Sequence, residues 1–451
     1  MTIRLLQARL WQRTGLWLML AALPLCAAAI AMAQDGSVFA EKPAGKAKKH
    51  ALAESPGFKP SQPPAFSVSV APLGFTAPGA LYLGQRNSLA SLDFLDENRL
   101  LFTFRVPGLI HRDKFDVSQS DERQIRAVVL TLPAGSIEAE ALWSVHDRDR
   151  YLWMLKDGRF LLRDRDSLSL GDAALELKPF LQFPGPVVWL EMDPAQQFMV
   201  TDSREPAAVQ QKPGQVSSPP TASAEMTLNG QKPAEQPDTV VRILRRESGK
   251  VMLLSRVRST VHLPINSDGY LESLRANGMQ WLVNLNHFSG GSTVLGRVES
   301  TCSPMFDFIS ERELLVSACN PSGGRKLVAM ATNGRRLWED SSSGVPVWPL
   351  VVMAPDGSRL VRETLAVNHA VTASSPLYSE DIKGQVVEVL DAADGKVALK
   401  TRASPVLDAG GNVAISPSGR RVAVLNDGAI QVFELPAPPA LPDPGASQPV
   451  R

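Results

Sequence analysis

Residues 351–361 read VVMAPDGSRLV, and residues 413–424 read VAISPSGRRVAV. In both stretches a short apolar run leads into a turn with proline and glycine, and a second apolar run follows. This pattern predicts two paired β-strands, because proline and glycine suit tight turns and apolar residues suit a half-buried sheet. The same frame recurs at residues 92–102 (LDFLDENRLLF), 152–162 (LWMLKDGRFLL), 190–200 (LEMDPAQQFMV) and 306–316 (FDFISERELLV). One hairpin cannot bury its own apolar face, so the repetition predicts stacked units that share a core.

A second strand–turn–strand element alternates with the first. It has a glycine in its turn, and its copies are residues 127–143, 240–251, 327–338 and 386–397. The two elements together make a unit of four strands. Seven units begin near residues 89, 147, 186, 258, 304, 346 and 404. The last unit has room for only three strands, and AFSVSVA at 65–71 supplies a fourth, which predicts a ring closed by an N-terminal strand in the last unit.

These repeats resemble those of the β-propeller superfamily, which includes WD40-like, YVTN-type and quinoprotein-type proteins. The resemblance covers residues 65–436 and rests on two motifs, Ser-Pro-x-Gly between apolar residues at 413–422 and Leu-Asp-x-x-x-Gly-Lys at 390–396. It implies an all-β fold, a propeller of about seven four-stranded blades. No strand ends in the Trp-Asp dipeptide of WD40 repeats, and the chain has no adjacent cysteines of the quinoprotein dehydrogenase type. The resemblance therefore concerns the fold and implies no particular activity.

Composition excludes some classes of protein. The chain has 451 residues, 44% of them hydrophobic, and a formal net charge of +1. Such a chain can bury a large core, so global disorder is excluded. Nucleic-acid binding usually needs a basic face, so the near-neutral charge predicts no nucleic-acid partner. The sequence does not predict an oligomeric state.

The N-terminus predicts export. Arg4, Arg9 and Arg13 precede an uncharged run from Gly15 to Ala33, which ends in Ala-Met-Ala. A basic start, an apolar run and a small-residue cleavage site are the marks of a signal peptide, here residues 1–33. Cleavage would leave a periplasmic or extracellular protein without a membrane span. The alternative is an uncleaved N-terminal anchor, since the uncharged run nearly reaches the length that crosses a bilayer.

Three segments lack an apolar period. Residues 34–64 read as a disordered leader, and residues 437–451 as a proline-rich tail. Residues 205–238 have six prolines and no aromatic residue, which predicts a disordered insertion. Because strand patterns continue on both sides, we expect this insertion to lie inside a blade. The propeller domain is thus predicted to span residues 65–436.

After cleavage the cysteines are Cys302 and Cys319, which flank the hairpin 306–316. If Ser310 and Glu311 form its two-residue turn, pairing outward places the cysteines opposite each other, within disulfide range. An exported protein keeps such a bond. The alternative is two buried free cysteines.

The chain shows no linear motif of catalysis. Gly-x-Ser-x-Gly, Gly-x-Gly-x-x-Gly, the phosphate-loop pattern and His-Glu-x-x-His are all absent. The histidines are scattered without the spacing of a metal site; they are His50, His111, His146, His262, His287 and His369. We therefore predict no catalytic, cofactor-binding or metal-binding residue.

Weaker candidates remain. Aspartates alternate with arginines at 146–150 and 163–166, at one end of a hairpin. They suggest a cation site, but arginine opposes a cation, which favours a solvated rim. Loop 108–113, with His111 and Asp113, has the residue types of an acid–base pair. Loop 288–292 could present N–H groups to an anion, though a hairpin turn explains it equally well.

Two functions fit this sequence. The first is an exported, non-catalytic propeller that binds a protein, a peptide or a cell-envelope partner through its rim or channel. The alternative is a propeller enzyme, such as a hydrolase, a lyase or a quinoprotein-like oxidoreductase, whose site is assembled from blade loops at the channel mouth. Carboxylates, histidines or arginines clustered within about 3–4 Å of one another at the channel would favour the enzyme.

Overall fold

The computed structural model describes residues 60–77, 89–107, 122–146, 149–205, 238–321, 324–342, 349–368, 379–407 and 409–439. This part of the chain is all β-structure, with short 3-10 helices at Ala71–Leu73 and Ser379–Asp381 and no α-helix. The predicted signal peptide, most of the predicted leader, the interior of the predicted insertion and the end of the tail lie outside it.

The strands form seven antiparallel sheets, numbered here as blades in chain order. A first strand, β1 (Phe66–Ser69), precedes blade 1 in the chain. The first three blades have four strands each. Blade 1 has β2 (Ala90–Phe94), β3 (Arg99–Arg105), β4 (Arg123–Thr131) and β5 (Ser136–Val145), and blade 2 has β6 (Leu152–Met154), β7 (Phe160–Asp164), β8 (Ser167–Gly171) and β9 (Leu177–Gln182). Blade 3 has β10 (Val187–Met192), β11 (Phe198–Glu205), β12 (Asp238–Arg245) and β13 (Lys250–Val257).

Blades 4 to 7 complete the fold. Blade 4 has β14 (Gly269–Asn277), β15 (Gln280–His287) and β16 (Ser292–Glu299), and blade 5 has β17 (Met305–Ser310), β18 (Glu313–Cys319), β19 (Arg325–Ala331) and β20 (Arg336–Ser342). Blade 6 has β21 (Leu350–Met353), β22 (Arg359–Val367), β23 (Ile382–Asp391) and β24 (Val397–Ala403). Blade 7 has β25 (Val413–Ile415), β26 (Arg421–Asn426) and β27 (Ala429–Glu434). In blade 7, β1 pairs antiparallel with β27, and Phe66 lies opposite Val432.

Seven apolar cores join the blades into a ring. Each core is shared by two neighbouring blades, and the last joins blade 7 to blade 1. Representative pairs are Ile125 with Tyr151, Leu161 with Met199, Val241 with Ile265, Val283 with Leu314, Leu315 with Leu360, Val387 with Val424, and Leu425 with Phe102. The predicted propeller fold is confirmed, because every sheet buries its two faces against its two neighbours.

The first strand of each blade is the inner one. First strands contact first strands of neighbouring blades, as β2 contacts β6 and β25. The outer strands β5 and β13 are largely exposed instead. Alternation along an inner strand sends successive side chains to opposite faces. In β17, Phe306 and Phe308 pack into the core shared with blade 4, while Asp307 between them does not.

Blade 4 departs from the regular pattern at its inner position. Residues 261–266 occupy that position, but they join β14 only through the bridge between Ile265 and Tyr270. Pro264 interrupts the segment, and proline has no N–H to donate to a ladder. Its carbonyl oxygen still accepts a hydrogen bond from Leu271 N–H at 2.8 Å. The segment therefore holds its place in the ring without forming a regular strand.

Two segments adjoin the predicted boundaries of the propeller domain and of its insertion. Residues 60–64, the end of the predicted leader, pack on blade 6, where Ser61 N–H donates to the carbonyl oxygen of Lys400 at 2.9 Å. At the predicted insertion, β11 reaches Glu205 and β12 begins at Asp238. Both strands belong to blade 3, and the residues between them lie outside the described part of the chain.

The disulfide between Cys302 and Cys319 is present, with the two Cα atoms 5.6 Å apart. The turn of its hairpin is centred one residue later than predicted, since Ser310 lies opposite Glu313. An irregularity in β17 between Phe308 and Ser310 compensates for this shift. The cysteines therefore still meet. The bond ties the chain entering blade 5 to the end of β18.

Replacing both cysteines by serine is expected to lower the free energy of unfolding by about 3 kcal/mol, because the bond closes a short loop and limits the unfolded chain. Urea unfolding of the oxidised protein and of the double variant measures this difference. A reductant should shift the wild type to the same extent and leave the variant unchanged. Equal stability of the oxidised protein and the variant would contradict the prediction.

Candidate functional site

One position of the repeat carries a polar or charged residue in four of the seven blades, and these four residues lie outside the apolar cores. It is the middle residue of the inner strand, which follows the first core residue of each hairpin. Its occupants in blades 1 to 7 are Asp93, Trp153, Glu191, His262, Asp307, Val352 and Ala414. The strands of a ring converge towards its axis, so residues at this position lie near one another even when they are far apart in sequence.

Glu191, His262 and Asp307 come together in this way from blades 3, 4 and 5. His262 Nε2 lies 3.0 Å from Glu191 Oε2 and 3.8 Å from Asp307 Oδ1. The side chains of His262 and Glu191 are 24% and 17% exposed, whereas that of Asp307 is 37% exposed. The group is therefore enclosed on the side of Glu191 and open to solvent on the side of Asp307.

Asp202 and Trp189 border this group. Trp189 and Glu191 lie opposite Asp202 and Val200 on the neighbouring strand, so these four side chains share one face of blade 3. Asp202 is fully buried, and its Oδ2 accepts the N–H of Val261 at 2.8 Å. Trp189 makes an edge-to-face contact with His262, with ring centroids 5.4 Å apart. The indole thus covers one side of the imidazole.

Burial and like charge perturb these groups. Burial raises the pKa of Asp202 to about 6, and the nearby carboxylate of Glu191 acts in the same direction. For His262, burial opposes the charged form, but the contacts with Glu191 and Asp307 outweigh it and raise the pKa of the imidazole. Three carboxylates and one imidazole in this space carry more negative than positive charge. The site therefore favours a cation.

Blade 1 carries a third carboxylate at the repeat position of Glu191 and Asp307, that of Asp93. Burial raises the pKa of Asp93 to about 6, although a hydrogen bond from Ser91 and the charge of Arg150 act in the opposite direction. The guanidinium of Arg150 lies over the ring of Trp153, 5.3 Å from its centroid. In blade 1 the positive charge of Arg150 therefore acts on the carboxylate of Asp93, whereas the carboxylate of Glu191 lies against His262.

A cavity of 380 Å³ opens among the turns that follow the inner strands. Residues from blades 2, 3, 5 and 6 line it, most of them in or beside the turns that follow the inner strands, and two beside the turn between β19 and β20. The lining residues are Lys156, Pro194, Ala195, Ile309, Ser310, Glu311, Arg312, Glu313, Ala331, Arg335, Pro355 and Asp356. We call this cavity the mouth cavity.

Glu311 holds three blades together at this mouth. Its carboxylate accepts the N–H of Ala195 at 2.9 Å and the N–H of Ser267 at 2.8 Å. Its backbone oxygen accepts a hydrogen bond from Asn266 Nδ2 at 3.1 Å. The turn of blade 5 is therefore bonded to the turns of blades 3 and 4, which gives the cavity a fixed wall.

The weaker sequence candidates do not form such a site. Asp164 accepts a hydrogen bond from the N–H of His146 and lies 3.0 Å from its Nδ1. Within the described residues, the aspartates of this rim form no cation-binding group. Residues 289–291 form the turn between β15 and β16, with Gly290 and Gly291 at φ of 100° and 86°. Loop 108–113, with His111, lies outside the described residues.

Sequence reasoning missed the Glu191–His262–Asp307 group, although a signal was present. Residues 190–200 and 306–316 align with 92–102, which places Glu191 and Asp307 at the position of Asp93. VHLPI at 261–265 fits the same frame, with His262 at that position. Looking for histidine pairs along the chain could not find the group, because its members lie in three different repeats.

The chain is only distantly similar to known proteins, and no activity follows from the similarities. No protein-family model and no curated protein sequence matches the chain. Among solved structures, the acylaminoacyl peptidase of Pyrococcus horikoshii matches at 10% identity over 75% of this chain, with a TM-score of 0.42. The propeller domain of the trilobed protease from Pyrococcus furiosus matches at 11% identity over 80% of this chain and 99% of its own, with a TM-score of 0.41.

Sqt1 from Chaetomium thermophilum is similar to the chain at 10% identity, over 78% of this chain and 97% of its own, with a TM-score of 0.42. The chain spans 49% of the length of the Pyrococcus horikoshii peptidase. The chain is a β-propeller. Within its described residues, no helix has the length and apolar character needed to cross a membrane.

Proposed function

We propose that this propeller is exported and binds a peptide segment of a protein partner at the mouth cavity. The cavity is the observation that carries the proposal, because its 380 Å³ is shared by the turns of four blades. Ligand pockets are concave and combine apolar walls with a few polar groups. The basic start and apolar run of residues 1–33 and the Cys302–Cys319 bond support export.

The lining of the cavity suits a peptide. Ile309 and Ala331 form apolar wall and are only 3% and 4% exposed. Lys156 and Arg312 contribute positive charge from two different blades, and Asp356 contributes negative charge from a third. A peptide offers apolar side chains, backbone hydrogen-bonding groups and charges of either sign. The cavity volume corresponds to a short segment of a few side chains rather than to a whole domain.

Selection of a random peptide library on the mature chain tests the proposal. Peptides that bind the wild type should lose about 10-fold or more in affinity for the variant Lys156→Glu/Arg312→Glu, which reverses charge at the mouth. Lys250→Glu on the outer strand β13 is the matched control and should leave binding unchanged. Peptides that bind both variants equally would place the binding surface elsewhere and contradict the proposal.

The second candidate function is an enzyme, favoured by the Glu191–His262–Asp307 group. His262 lies within 3.8 Å of both carboxylates, and such clustering of titratable groups favours a catalytic site. Its accessible side is at Asp307. Absence of peptide binding, together with turnover in a panel of ester, amide and phosphoester substrates that is lost in His262→Ala, would replace the binding proposal with this one.

A further inference from the structure

We propose that Glu191, His262 and Asp307 bind a divalent metal ion, with zinc as the best fit, between blades 3, 4 and 5. One donor atom from each residue lies within 4.8 Å of the other two. The site is independent of the mouth cavity, since none of its members lines that cavity. It goes beyond the proposed peptide binding and does not depend on it.

The donor separations fit one small cation. Zinc bonds of about 2.0–2.2 Å place neighbouring donors about 3.0–3.5 Å apart in tetrahedral or more crowded arrangements. His262 Nε2 and Glu191 Oε2 are 3.0 Å apart, and His262 Nε2 and Asp307 Oδ1 are 3.8 Å apart. Small side-chain rotations would equalise these two distances, without any movement of the strands.

The donor types select the metal. One imidazole nitrogen with carboxylate oxygens suits zinc and its first-row neighbours, whereas calcium and magnesium prefer oxygen ligands alone. The interactions described for His262 are with carboxylates and with an indole, and they include no lysine or arginine. In the aspartate–arginine rim at 146–166, by contrast, arginines alternate with the aspartates in the sequence.

The buried carboxylate of Asp202, beside this group, also favours a nearby cation. It is 0% exposed, and its Oδ1 has no hydrogen-bond partner within the described residues. Its Oδ2 accepts the N–H of Val261, the residue before His262, so the carboxylate lies against the histidine segment. A buried carboxylate oxygen without a partner is costly. A metal ion beside His262 supplies the missing positive charge.

Glu191 supports the same interpretation. Its Oε2 is also enclosed, and it lies 3.0 Å from His262 Nε2, so the carboxylate and the imidazole already face each other. With three protein ligands, a tetrahedral zinc keeps one position for water or a ligand oxygen, as in catalytic zinc sites. The exposed side at Asp307 is where that position would open.

Calorimetric titration of zinc chloride into the chelator-treated, tag-free mature chain (residues 34–451) tests the proposal. We expect one zinc ion per chain. His262→Ala and Asp307→Asn should each abolish binding in the measurable range, and Asp202→Asn should weaken it by about 10–100-fold as a supporting residue. His146→Ala is the matched control, because His146 also pairs with an aspartate, and it should bind zinc like the wild type.

X-ray absorption at the zinc edge gives a readout that does not depend on the variants. We expect nitrogen and oxygen neighbours, one of them an imidazole, and no sulfur. Circular dichroism checks that each variant is folded, and if His262→Ala is not, Asp307→Asn and the absorption spectrum decide. No zinc uptake by the wild type, sulfur ligation, or unchanged binding in Asp307→Asn would overturn the proposal.

Discussion

Replacing Arg359 by methionine is expected to lower the free energy of unfolding by about 3–5 kcal/mol, the usual cost of breaking a buried ion pair from one side. Arg359 lies on β22 and is 1% exposed. Its Nε donates to Asp391 Oδ1 at 2.7 Å within blade 6. Its Nη1 donates to the carbonyl oxygens of Gly419 and Pro436 in blade 7, each at 2.9 Å.

The effect is large because the arginine has three partners, the carboxylate of Asp391 and the carbonyl oxygens of Gly419 and Pro436, and no other group replaces it in the variant. Methionine fills much of the volume of the arginine side chain, so the lost stability comes mainly from the missing hydrogen bonds and charge interactions. Asp391 would keep its charge in a nearly dry interface, and two backbone oxygens of blade 7 would lose their donor. Blades 6 and 7 lie next to the seam where the first strand β1 joins the last, so loosening them weakens the closure of the whole ring.

Chemical denaturation followed by circular dichroism measures this change. Arg336→Met in blade 5 is the matched control, because Arg336 is 57% exposed and pairs only with Glu339 at the surface. Exposed pairs contribute at most about 1 kcal/mol, so the control should stay close to the wild type. A loss in Arg359→Met no greater than in the control would show that the interface does not depend on this arginine.

Replacing Glu363 by glutamine is expected to flatten the pH dependence of stability between about pH 4.5 and pH 8. Burial raises the pKa of Glu363 to about 8, although a hydrogen bond from Gln385 acts in the opposite direction. The folded protein therefore binds a proton at this carboxyl more tightly than the unfolded chain does. Stability is greatest below the ordinary pKa of 4.5 and falls as the pH rises towards 8.

The raised pKa of Glu363 sets the size of the expected change in stability with pH. The separation of the folded pKa from the ordinary value corresponds to roughly 5 kcal/mol at most. Glu363 is 2% exposed, and its Oε2 accepts a hydrogen bond from Gln385 Nε2 at 2.6 Å. Gln385 Oε1 in turn accepts a hydrogen bond from Asn412 Nδ2 at 2.8 Å, across the boundary between blades 6 and 7. Glutamine keeps the acceptor and removes the charge.

Urea unfolding at pH 5, 7 and 8.5 tests the prediction. The difference in unfolding free energy between Glu363→Gln and the wild type should grow in favour of the variant as the pH rises. Glu299→Gln is the control, because Glu299 is exposed at the end of β16 and its removal should leave the pH dependence unchanged. A difference that stays constant with pH would mean that Glu363 does not titrate in this range.

Much of the fold could be predicted because its signals are local. The sequence predicts turns at Pro355-Asp356-Gly357 and at Pro417-Ser418-Gly419. In the structure Gly357 and Gly419 have φ of 74° and 66°, and such positive values favour glycine. The Cys302–Cys319 bond followed from hairpin pairing, although its turn is shifted by one residue. Blade 4 was the least clear from sequence, because Pro264 interrupts the inner segment there.

The amino-acid sequence by itself determined that the chain builds repeated strand–turn–strand units, since alternation and turn residues act over a few neighbouring positions. Only the tertiary structure decided which residues form a site. Glu191, His262 and Asp307 occupy one position in three repeats, and each alone reads as an ordinary polar residue in a strand. They meet because seven blades close into a ring whose inner strands converge, and convergence is a property of the closed ring that no single repeat contains.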